Sequence, residues 1–113
     1  MDKLTNYRQL IKKLLTHYVE ISQRQPSPGV EELLIADDAS GHYFWLNLGW
    51  TKGERINATT IHLRLKDGKI WIEENWTDFD IADELIAAGV PKTDIVLALH
   101  APEMRQYAEF AAA

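Results

Sequence analysis

The sequence predicts an α+β fold with an N-terminal helix, a four-stranded antiparallel β-meander and C-terminal helical elements packed on the sheet. Three patterns indicate it. An apolar stripe of helical period runs from Leu4 to Ile21, four alternating segments separated by short turns follow, and helix-capping residues appear after Trp76. A chain of 113 residues is long enough for one hydrophobic core, so we expect a single domain, 1–113.

The first helix is predicted from apolar residues that recur at spacings of three and four. They are Leu4, Tyr7, Ile11, Leu14, Tyr18 and Ile21. Asp2 is placed to cap the N-terminus of this helix. The stripe has a heptad-like rhythm but is short for a coiled coil, so packing on the sheet is the favoured use. The segment Gln25–Gly29 then breaks the chain into a loop.

Four consecutive strands are predicted from alternating apolar and polar residues. They are Glu31–Asp37, His42–Trp50, Arg55–Lys66 and a strand that begins at Lys69. Short connections between them favour an antiparallel meander. The dipeptide Asp67-Gly68 between two alternating runs is a strong signal for a two-residue hairpin loop.

This hairpin loop fixes the predicted pairing of the last two strands. Counting outward from the loop pairs Leu65 with Ile70, Arg64 with Trp71, Leu63 with Ile72 and His62 with Glu73. Since side chains alternate along a strand, one face is predicted to carry the apolar residues Leu63, Leu65, Ile70 and Ile72. The other face is predicted to carry the cross-strand neighbours Arg64, Trp71, His62 and Glu73.

The second predicted strand is rich in aromatic residues on both faces. Alternation places Phe44, Leu46, Leu48 and Trp50 on one side and Tyr43, Trp45 and Asn47 on the other. We expect Phe44 and Leu46 to join the apolar face of the hairpin, and Tyr43 and Trp45 to share the opposite face with Trp71. The N-terminal helix covers one face, and the second is either covered by the C-terminal segment or offered to a partner.

The C-terminal third is predicted to be helical with one ambiguous segment. Asp80 and Asp83 resemble a capping box at the start of a helix, and Gly89 is placed to end that helix. Ile81, Leu85 and Ile86 form the apolar face of this helix. The run Ile95–Leu99 is either a short strand or a buried helical turn. A closing helix is expected from Pro102, and it would contain Met104, Tyr107 and Phe110.

No catalytic motif is found. Asp67-Gly68-Lys69 matches the trailing D-x-K of a large nuclease superfamily, but these residues form a turn tip, and Asp-Gly is favoured there by backbone geometry alone. His42, His62 and His100 lack the spacing of a metal site. The chain has no cysteine, no nucleophile elbow and no phosphate-binding loop. Helix capping explains the carboxylates around Asp80. We therefore predict no catalytic residues, no metal site and no cofactor.

The charge is uneven along the chain. The net charge is −5, with +3 on residues 1–24 and −8 on residues 25–113. An acidic chain is a poor unaided binder of DNA, because phosphate contacts need clustered cations. A DNA contact, if one exists, is expected on the first helix at Lys3, Arg8, Lys12 and Lys13. No apolar run is long enough to cross a bilayer and no secretory signal is present, so a cytoplasmic location is expected.

Several segments resemble the XisI-like family, the fdxN element excision controlling factors. The most specific are KIWIEENWTD (Lys69 to Asp78), AGVPKTDIVLALH (Ala88 to His100) and RQYAEFA (Arg105 to Ala111), and the resemblance extends over nearly the whole chain. It implies a small accessory factor of heterocyst-forming bacteria, with a place in heterocyst differentiation. Such a factor is needed, with a companion called XisH, for excision by a separate site-specific recombinase. The resemblance supplies no catalytic residues.

The sequence and the resemblance together predict a non-enzymatic accessory factor. It would control excision through protein–protein contacts with a XisH-like companion, a recombinase, or both. The candidate partner surface comprises Tyr43, Trp45, His62, Arg64, Trp71, Glu73, Glu74 and Trp76. The alternative is a DNA-binding recombination directionality factor that uses the basic first helix, and an enzyme based on His62 and Glu73 is a third, less favoured hypothesis. A homo-oligomer stays open, since the helix and the sheet face both permit one.

Overall fold

The computed structural model describes residues 2–105 and 109–113 of the chain. The helices and strands in chain order are α1 (Lys3–Ser22), β1 (Val30–Asp37), β2 (His42–Thr51), β3 (Glu54–Lys66), β4 (Lys69–Asn75), α2 (Ile81–Ala87), β5 (Ile95–Val96) and α3 (Pro102–Arg105). The predicted α+β class, with a helix, a meander and small C-terminal helices, is confirmed. Among these helices, none combines the length and apolar character that crossing a membrane requires.

The sheet has five strands in the order β1-β2-β3-β4-β5. The first four form the predicted antiparallel meander. The fifth strand is a short addition that pairs in parallel with β4, through Ile70 with Ile95 and Trp71 with Val96. Parallel neighbours need a crossover connection, and α2 with the 3₁₀ turn Lys92–Asp94 supplies it. The first two residues of the ambiguous run Ile95–Leu99, Ile95 and Val96, thus form a strand.

Helix α1 begins where the sequence predicts and buries a slightly different stripe. Asp2 Oδ1 accepts a hydrogen bond from the Thr5 amide at 2.7 Å, as an N-cap does. The buried residues are Tyr7, Ile11, Leu15, Tyr18 and Val19. Leu15 and Val19 are thus buried in addition to the predicted residues, whereas Leu14 is only partly buried against the core, Ile21 is half-buried and Leu4 is exposed. An α-helix has 3.6 residues per turn, so a strict heptad stripe drifts around the helix over this length.

The β3–β4 hairpin has the predicted loop and nearly the predicted register. Asp67 and Gly68 have φ of 55° and 74°, the two positive values that a type I′ turn needs. The pairs Leu65–Ile70, Arg64–Trp71 and Leu63–Ile72 are confirmed. The predicted pair of His62 with Glu73 is wrong, because a register shift next to Leu63 places Glu74 opposite His62. An extra residue in one strand, a β-bulge, causes such a shift.

The predicted faces of β2 are inverted relative to the hairpin. Tyr43 pairs with Leu63, and both side chains therefore face the core below α1. Tyr43 is fully buried and Trp45 is 4% exposed. Phe44, which was expected in the core, pairs with His62 on the opposite side. The alternation within β2 groups its side chains by face but does not say which face is buried. That depends on the register between β2 and β3, which is set by the turn between them.

Helix α2 follows its predicted capping residues. Asp80 Oδ1 accepts a hydrogen bond from the Asp83 amide at 3.0 Å, and Gly89 has a φ of 102° just after the helix. Ile81 and Leu85 are buried in the core that α1 and the inner face of the sheet also form. The two helices therefore cover the same face.

The segment after β5 departs from the predicted closing helix. The described part of α3 is one turn, and its Met104 is 58% exposed. Phe110 lies in a bend and packs against the core, while Tyr107 falls outside the described residues. The Ala111 amide donates to the Ile95 carbonyl at 2.9 Å. Pairing with the edge of β5 holds this segment extended, which a helix through Phe110 would prevent.

Candidate functional site

The sheet has one covered face and one open face. We call the side opposite α1 and α2 the outer face. It carries a contiguous apolar set from β1 and β2, because Leu33 pairs with Leu46 and Ile35 pairs with Phe44. The set comprises Leu33, Ile35, Phe44, Leu46, Leu48 and Trp50. Among the described residues, none of these six packs against the core. Ile35 is 45% and Trp50 is 60% exposed, and the other four are half-buried.

Two histidines and a phenylalanine form a compact cluster next to this apolar set. His42 Nδ1 lies 2.9 Å from His62 Nε2, and the His62 ring stacks on Phe44 with 4.1 Å between centroids. Burial lowers the pKa of His62 below its ordinary value, and a charge on His42 lowers it further. One proton between the two nearest ring nitrogens satisfies both rings. Ring stacking and the hydrogen bond between the two rings make the cluster compact, which suits a packed contact surface.

The exit of β4 presents carboxylates beside an exposed indole. Arg64 Nη1 lies 3.9 Å from Glu73 Oε2, a loose ion pair on the outer face. Trp76 Nε1 donates to Glu74 Oε2 at 3.1 Å, and the Trp76 side chain is 79% exposed. A shallow pocket joins Glu73, Glu74 and Trp76 to Leu99. An exposed indole next to two carboxylates is suited to a lysine or arginine of a partner.

Asn75 explains why Trp76 projects outward. The Asn75 Oδ1 atom accepts hydrogen bonds from the Thr77 amide at 2.9 Å and from Thr77 Oγ1 at 2.6 Å. Its Nδ2 atom donates to the Phe79 carbonyl at 2.9 Å. A side chain that bonds the backbone two residues ahead forms an Asx turn. The turn fixes the chain on both sides of Trp76 and leaves its ring in solvent.

Trp71 is on the outer face but is not available as a contact. Lys66 Nζ lies 5.1 Å and the Arg105 guanidinium carbon 5.8 Å from the ring centroid, both in cation–π range. Arg105 is held by the carbonyls of Ala98 and His100 at 3.1 and 2.9 Å. Trp71 is consequently 8% exposed. The C-terminal segment covers the outer face over β4 and leaves it open over β1 and β2.

Tyr43 and Trp45, two of the predicted contact residues, are core residues instead. The Tyr43 hydroxyl donates to Asp38 Oδ1 at 2.8 Å. Burial, assisted by this hydrogen bond, raises the pKa of Tyr43 to about 12. The partner surface that the sequence predicted therefore loses Tyr43, Trp45 and Trp71. It keeps His62, Arg64, Glu73, Glu74 and Trp76 as accessible or half-accessible residues.

The basic residues of α1 are partly neutralised. Lys3 Nζ lies 2.9 Å from Asp94 Oδ2 and Lys12 Nζ lies 2.7 Å from Asp38 Oδ2. The hydrogen bond from Lys12 holds the pKa of Asp38 below its ordinary value. Burial opposes the ionisation of Asp94, but hydrogen bonds from Tyr7 and Lys3 hold its pKa below the ordinary range as well. The four residues of the alternative DNA contact thus include two with carboxylate partners, beside the half-exposed Arg8 and the exposed Lys13.

The described residues offer little for bound metal or small-molecule chemistry. Over residues 2–105 and 109–113, no three His, Asp or Glu side chains converge as metal ligands would. A pocket of about 470 Å³ lies between the end of α1 and strands β1 and β2. Several polar groups that line it hydrogen-bond to each other. Ser22 Oγ donates to Glu32 Oε1 at 2.5 Å, and Asn47 Nδ2 donates to Thr60 Oγ1 at 2.6 Å.

The outer apolar set is the feature that sequence reasoning missed. Alternation correctly grouped Phe44, Leu46, Leu48 and Trp50 on one face of β2, but Phe44 and Leu46 were expected on the apolar face of the hairpin. The missing signal is the β2–β3 register, which pairs Trp45 with Ile61 and then shifts at Leu46. An irregularity of this kind leaves no trace in the apolar pattern of one strand.

Comparisons with known proteins agree with the fold. The protein-family model of the XisI protein family matches residues 1–112 of the chain. The chain is similar to the crystal structure of a XisI-like protein from Anabaena variabilis ATCC 29413, with 45% identity over 97% of this chain and 99% of that one and a TM-score of 0.92. It is also similar to the fdxN element excision controlling factor XisI of the same organism. The identity there is 40% over 99% of this chain and 100% of that one, with a TM-score of 0.87. None of the curated proteins compared with the chain matches it.

Proposed function

The chain belongs to the XisI family, and from that premise we propose that it is a non-enzymatic accessory factor controlling the excision of a DNA element of the fdxN type. Its role would be to bind other proteins of the excision machinery. The expected partners are a XisH-like companion, a site-specific recombinase, or both. The recombinase would perform the strand chemistry.

The observation that carries this proposal is the uncovered outer face over β1 and β2. Contiguous exposed apolar residues rimmed by polar groups commonly mark protein–protein interaction sites. The rim is supplied by His62 and Arg64 on β3 and by Glu73 and Glu74 on β4. Trp76, at 79% exposure, adds the residue type most enriched among interface hot spots.

The charge supports a protein partner with a basic contact surface. The chain carries a net charge of −5. Glu73 and Glu74 concentrate negative charge beside Trp76. Complementary charges across an interface raise the association rate and exclude partners of like charge. We therefore expect lysine or arginine side chains of the partner near Trp76.

The non-enzymatic part of the proposal rests on the relative and on the polar side chains. The solved relative is described as a controlling factor. The histidines His42 and His62 hydrogen-bond to each other, and Tyr7 and Tyr43 hydrogen-bond to Asp94 and Asp38. Burial raises the pKa of Tyr7 to about 12, with the Asp94 hydrogen bond adding to the shift. Both tyrosines therefore stay protonated near neutral pH and would not serve as bases.

Direct DNA binding through α1 remains the second candidate, and the ion pairs count against it. Lys3 and Lys12 each have a carboxylate within 3 Å. If these lysines left their partners to contact DNA phosphates, the carboxylates of Asp94 and Asp38 would lie unpaired near the phosphates. The negative charges would then repel each other. A salt-sensitive shift of element-end DNA by the protein alone, lost when Arg8 and Lys13 are changed to alanine, would reverse this ranking.

Copurification with a XisH-like companion tests the proposal. We expect a complex at micromolar concentrations in size-exclusion chromatography with light scattering. Trp76→Ala should weaken it about 10-fold or more, since truncation of an interface tryptophan is often worth 2 kcal/mol or above, about 30-fold. Met104→Ala, at another exposed apolar residue, is the matched control and should have no effect. Absence of a complex for the unchanged chain would contradict the proposal.

A further inference from the structure

The edge of the sheet at β1 is open beyond Val30, whose amide donates to the Ser27 carbonyl at 3.1 Å. Within the described chain, β1 has β2 as its one neighbour, whereas β5 at the other edge is met by Ala111. Leu34 and Ile35, at the centre of β1, are 40% and 45% exposed. A strand with one neighbour leaves alternate backbone N–H and C=O groups unpaired, and these can hydrogen-bond to another strand.

The apolar centre of strand β1 lacks the usual protection of an edge. The eight residues of the strand include no proline and no lysine, and its register with β2 runs without a bulge from Val30 to Asp37. The four residues 33–36 are all apolar. Native edges are commonly blunted by charges, prolines or bulges, because an unprotected apolar edge recruits other strands. The centre of β1, residues 33–36, has none of these devices, since its charges lie only at the two ends, and we take this as an indication of use.

An apolar pocket lies beside the open edge. It has a volume of about 230 Å³ between α1 and strands β1 and β2, with Leu15, Leu34, Tyr43 and Phe44 among its lining residues. Strand addition combines main-chain hydrogen bonds with pockets that receive alternate side chains of the added strand. The pocket is well placed to receive one apolar side chain from a strand paired with β1.

The ends of β1 carry the charge that identifies the occupant. Glu31 and Glu32 precede the apolar centre, and Asp37 and Asp38 follow it. Lys12 neutralises part of this charge by pairing with Asp38. The remaining charge is negative at both ends. Opposite charges facing each other across a strand pair are favourable, and like charges are unfavourable.

This charge pattern disfavours a second copy of the chain. The backbone groups of Glu32, Leu34 and Ala36 point away from β2, so two antiparallel β1 strands paired about Leu34 place Glu31 opposite Asp37 of the copy at both ends. Sliding the register by two residues places Glu31 opposite Ile35 in one direction and Asp37 opposite Leu33 in the other. Either arrangement is unfavourable, through charge repulsion or through burial of a charge.

We propose that β1 is the docking site for a strand of another protein, with an apolar centre and lysine or arginine at both ends. The added strand would extend the sheet to six strands and place one apolar side chain in the pocket beside Leu34. Its direction is left free, because the acidic groups flank β1 on both sides. This inference rests on the proposed function, since it specifies the chemistry of a partner of that factor.

A pair of synthetic peptides tests the charge and the apolar requirements. One has valine and isoleucine in the centre with lysine and arginine at both ends, and the other has the same centre with glutamate at the ends. We expect fluorescence anisotropy to show binding of the first to the full chain, weakened by salt. We expect at least ~10-fold weaker binding of the second. Equal binding of both peptides, or no binding of the basic one, would overturn the proposal.

Substitutions with matched controls place the peptide on β1. Leu34→Lys puts a charge at the edge and in the pocket and should reduce affinity ~10-fold or more. Glu31→Lys should reduce it several-fold, about 5-fold, through charge alone. Met104→Lys and Glu103→Lys introduce the same groups on exposed residues of α3 and should leave it unchanged. Equal losses in test and control variants would contradict docking at β1.

The test separates this inference from the proposed function. If the XisH-like complex forms and Leu34→Lys leaves it intact, the docking site is wrong and the accessory role stands. If the basic peptide binds at β1 but no companion or recombinase does, the accessory role fails. If light scattering finds a dimer of the chain alone that Leu34→Lys dissociates, a second copy is the occupant and the proposal is overturned.

Discussion

The two edges of the sheet begin from similar sequences and end in opposite states. Strand β1 contains the apolar run Leu33–Ala36, and β5 lies in the apolar run Ile95–Leu99. Ile95 and Val96 are fully buried, whereas Leu34 and Ile35 are 40% and 45% exposed. The difference arises from the connections. The chain after β5 returns along it and donates the Ala111 amide to Ile95, but no described segment returns along β1.

This contrast shows that apolar composition does not decide whether an edge is closed. The covered edge needs a later segment that supplies both backbone hydrogen bonds and side chains, here Ala111 and Phe110. The open edge instead relies on acidic flanks, which limit pairing with a second copy and permit pairing with a basic strand. Truncating a side chain should therefore lower the free energy of unfolding strongly at β5 and weakly at β1.

Truncation of one isoleucine at each edge gives the largest expected difference. Ile95→Ala removes a fully buried side chain and should lower the free energy of unfolding by about 2–5 kcal/mol. Ile35→Ala removes a side chain that is 45% exposed and should lower it by less than ~1 kcal/mol. Urea unfolding followed by tryptophan fluorescence measures both values. Similar losses for the two variants would mean that β1 is as well covered as β5.

Two turn glycines sharpen the comparison between the β1–β2 turn and the interior hairpin. Gly41 has a φ of 75°, and a Cβ there would lie 2.4 Å from the Leu65 carbonyl oxygen. Gly68 has a φ of 74°, and a Cβ there would lie 3.7 Å from Lys3 Nζ, an ordinary van der Waals contact. We expect Gly68→Ala to cost about 1–2 kcal/mol from the left-handed backbone alone, and Gly41→Ala to cost more because a strand must also move.

Gly68→Val tests the type I′ turn of the hairpin separately. A β-branched residue with positive φ is strained, so this variant should be less stable than Gly68→Ala and than changes at nearby exposed residues such as Asp67→Asn. Thermal unfolding of the three variants gives the order. A Gly68→Val protein that melts with the parent would mean that the turn has another geometry.

The smallest predicted effect is a pH dependence from the outer face. His42 and His62 face each other there, with Arg64, Glu73 and Glu74 as the charged neighbours. Because the pKa of His62 in the folded protein is below 6.5, the unfolded chain binds more protons between the two values. Stability should therefore rise with pH through that window and fall as pH drops below about 6.5.

A His62→Gln variant isolates this pH effect. Its unfolding free energy should vary less between pH 5 and pH 7 than that of the parent, since one titrating group is removed. His17→Gln, an exposed histidine of α1, is the control and should retain the parental slope. An unchanged slope in His62→Gln would show that this histidine does not carry the dependence.

Much of the fold follows from local sequence patterns. Asp2 and Asp80 mark the starts of α1 and α2, and Asp67-Gly68 fixes the hairpin loop, because each depends on a few adjacent residues. The register near that loop was also predictable for Leu63–Ile72 and the pairs closer to the turn. It failed one pair further out, where the bulge places Glu74 opposite His62.

The candidate site was less predictable because it depends on contacts distant in sequence. The burial of Tyr43 and Trp45 follows from the β2–β3 register, and the burial of Trp71 follows from Arg105, thirty-four positions along the chain. Neither contact has a local pattern. Trp76, which the sequence analysis assigned to the candidate partner surface, is exposed because Asn75 and Thr77 form a local turn that projects it.

Amide hydrogen exchange on the full chain tests the open edge most directly. The amides of β1 that lack a partner should exchange rapidly in the free protein, while those of Ile70 and Trp71 in β4, which lies between β3 and β5 there, should be protected. Adding the basic-ended peptide should slow exchange in Val30–Asp37 by about 10-fold or more and leave Lys69–Asn75 unchanged. Protection of the unpartnered β1 amides in the free monomer, or binding of the peptide without slower exchange of these amides, would contradict the open edge as a docking site.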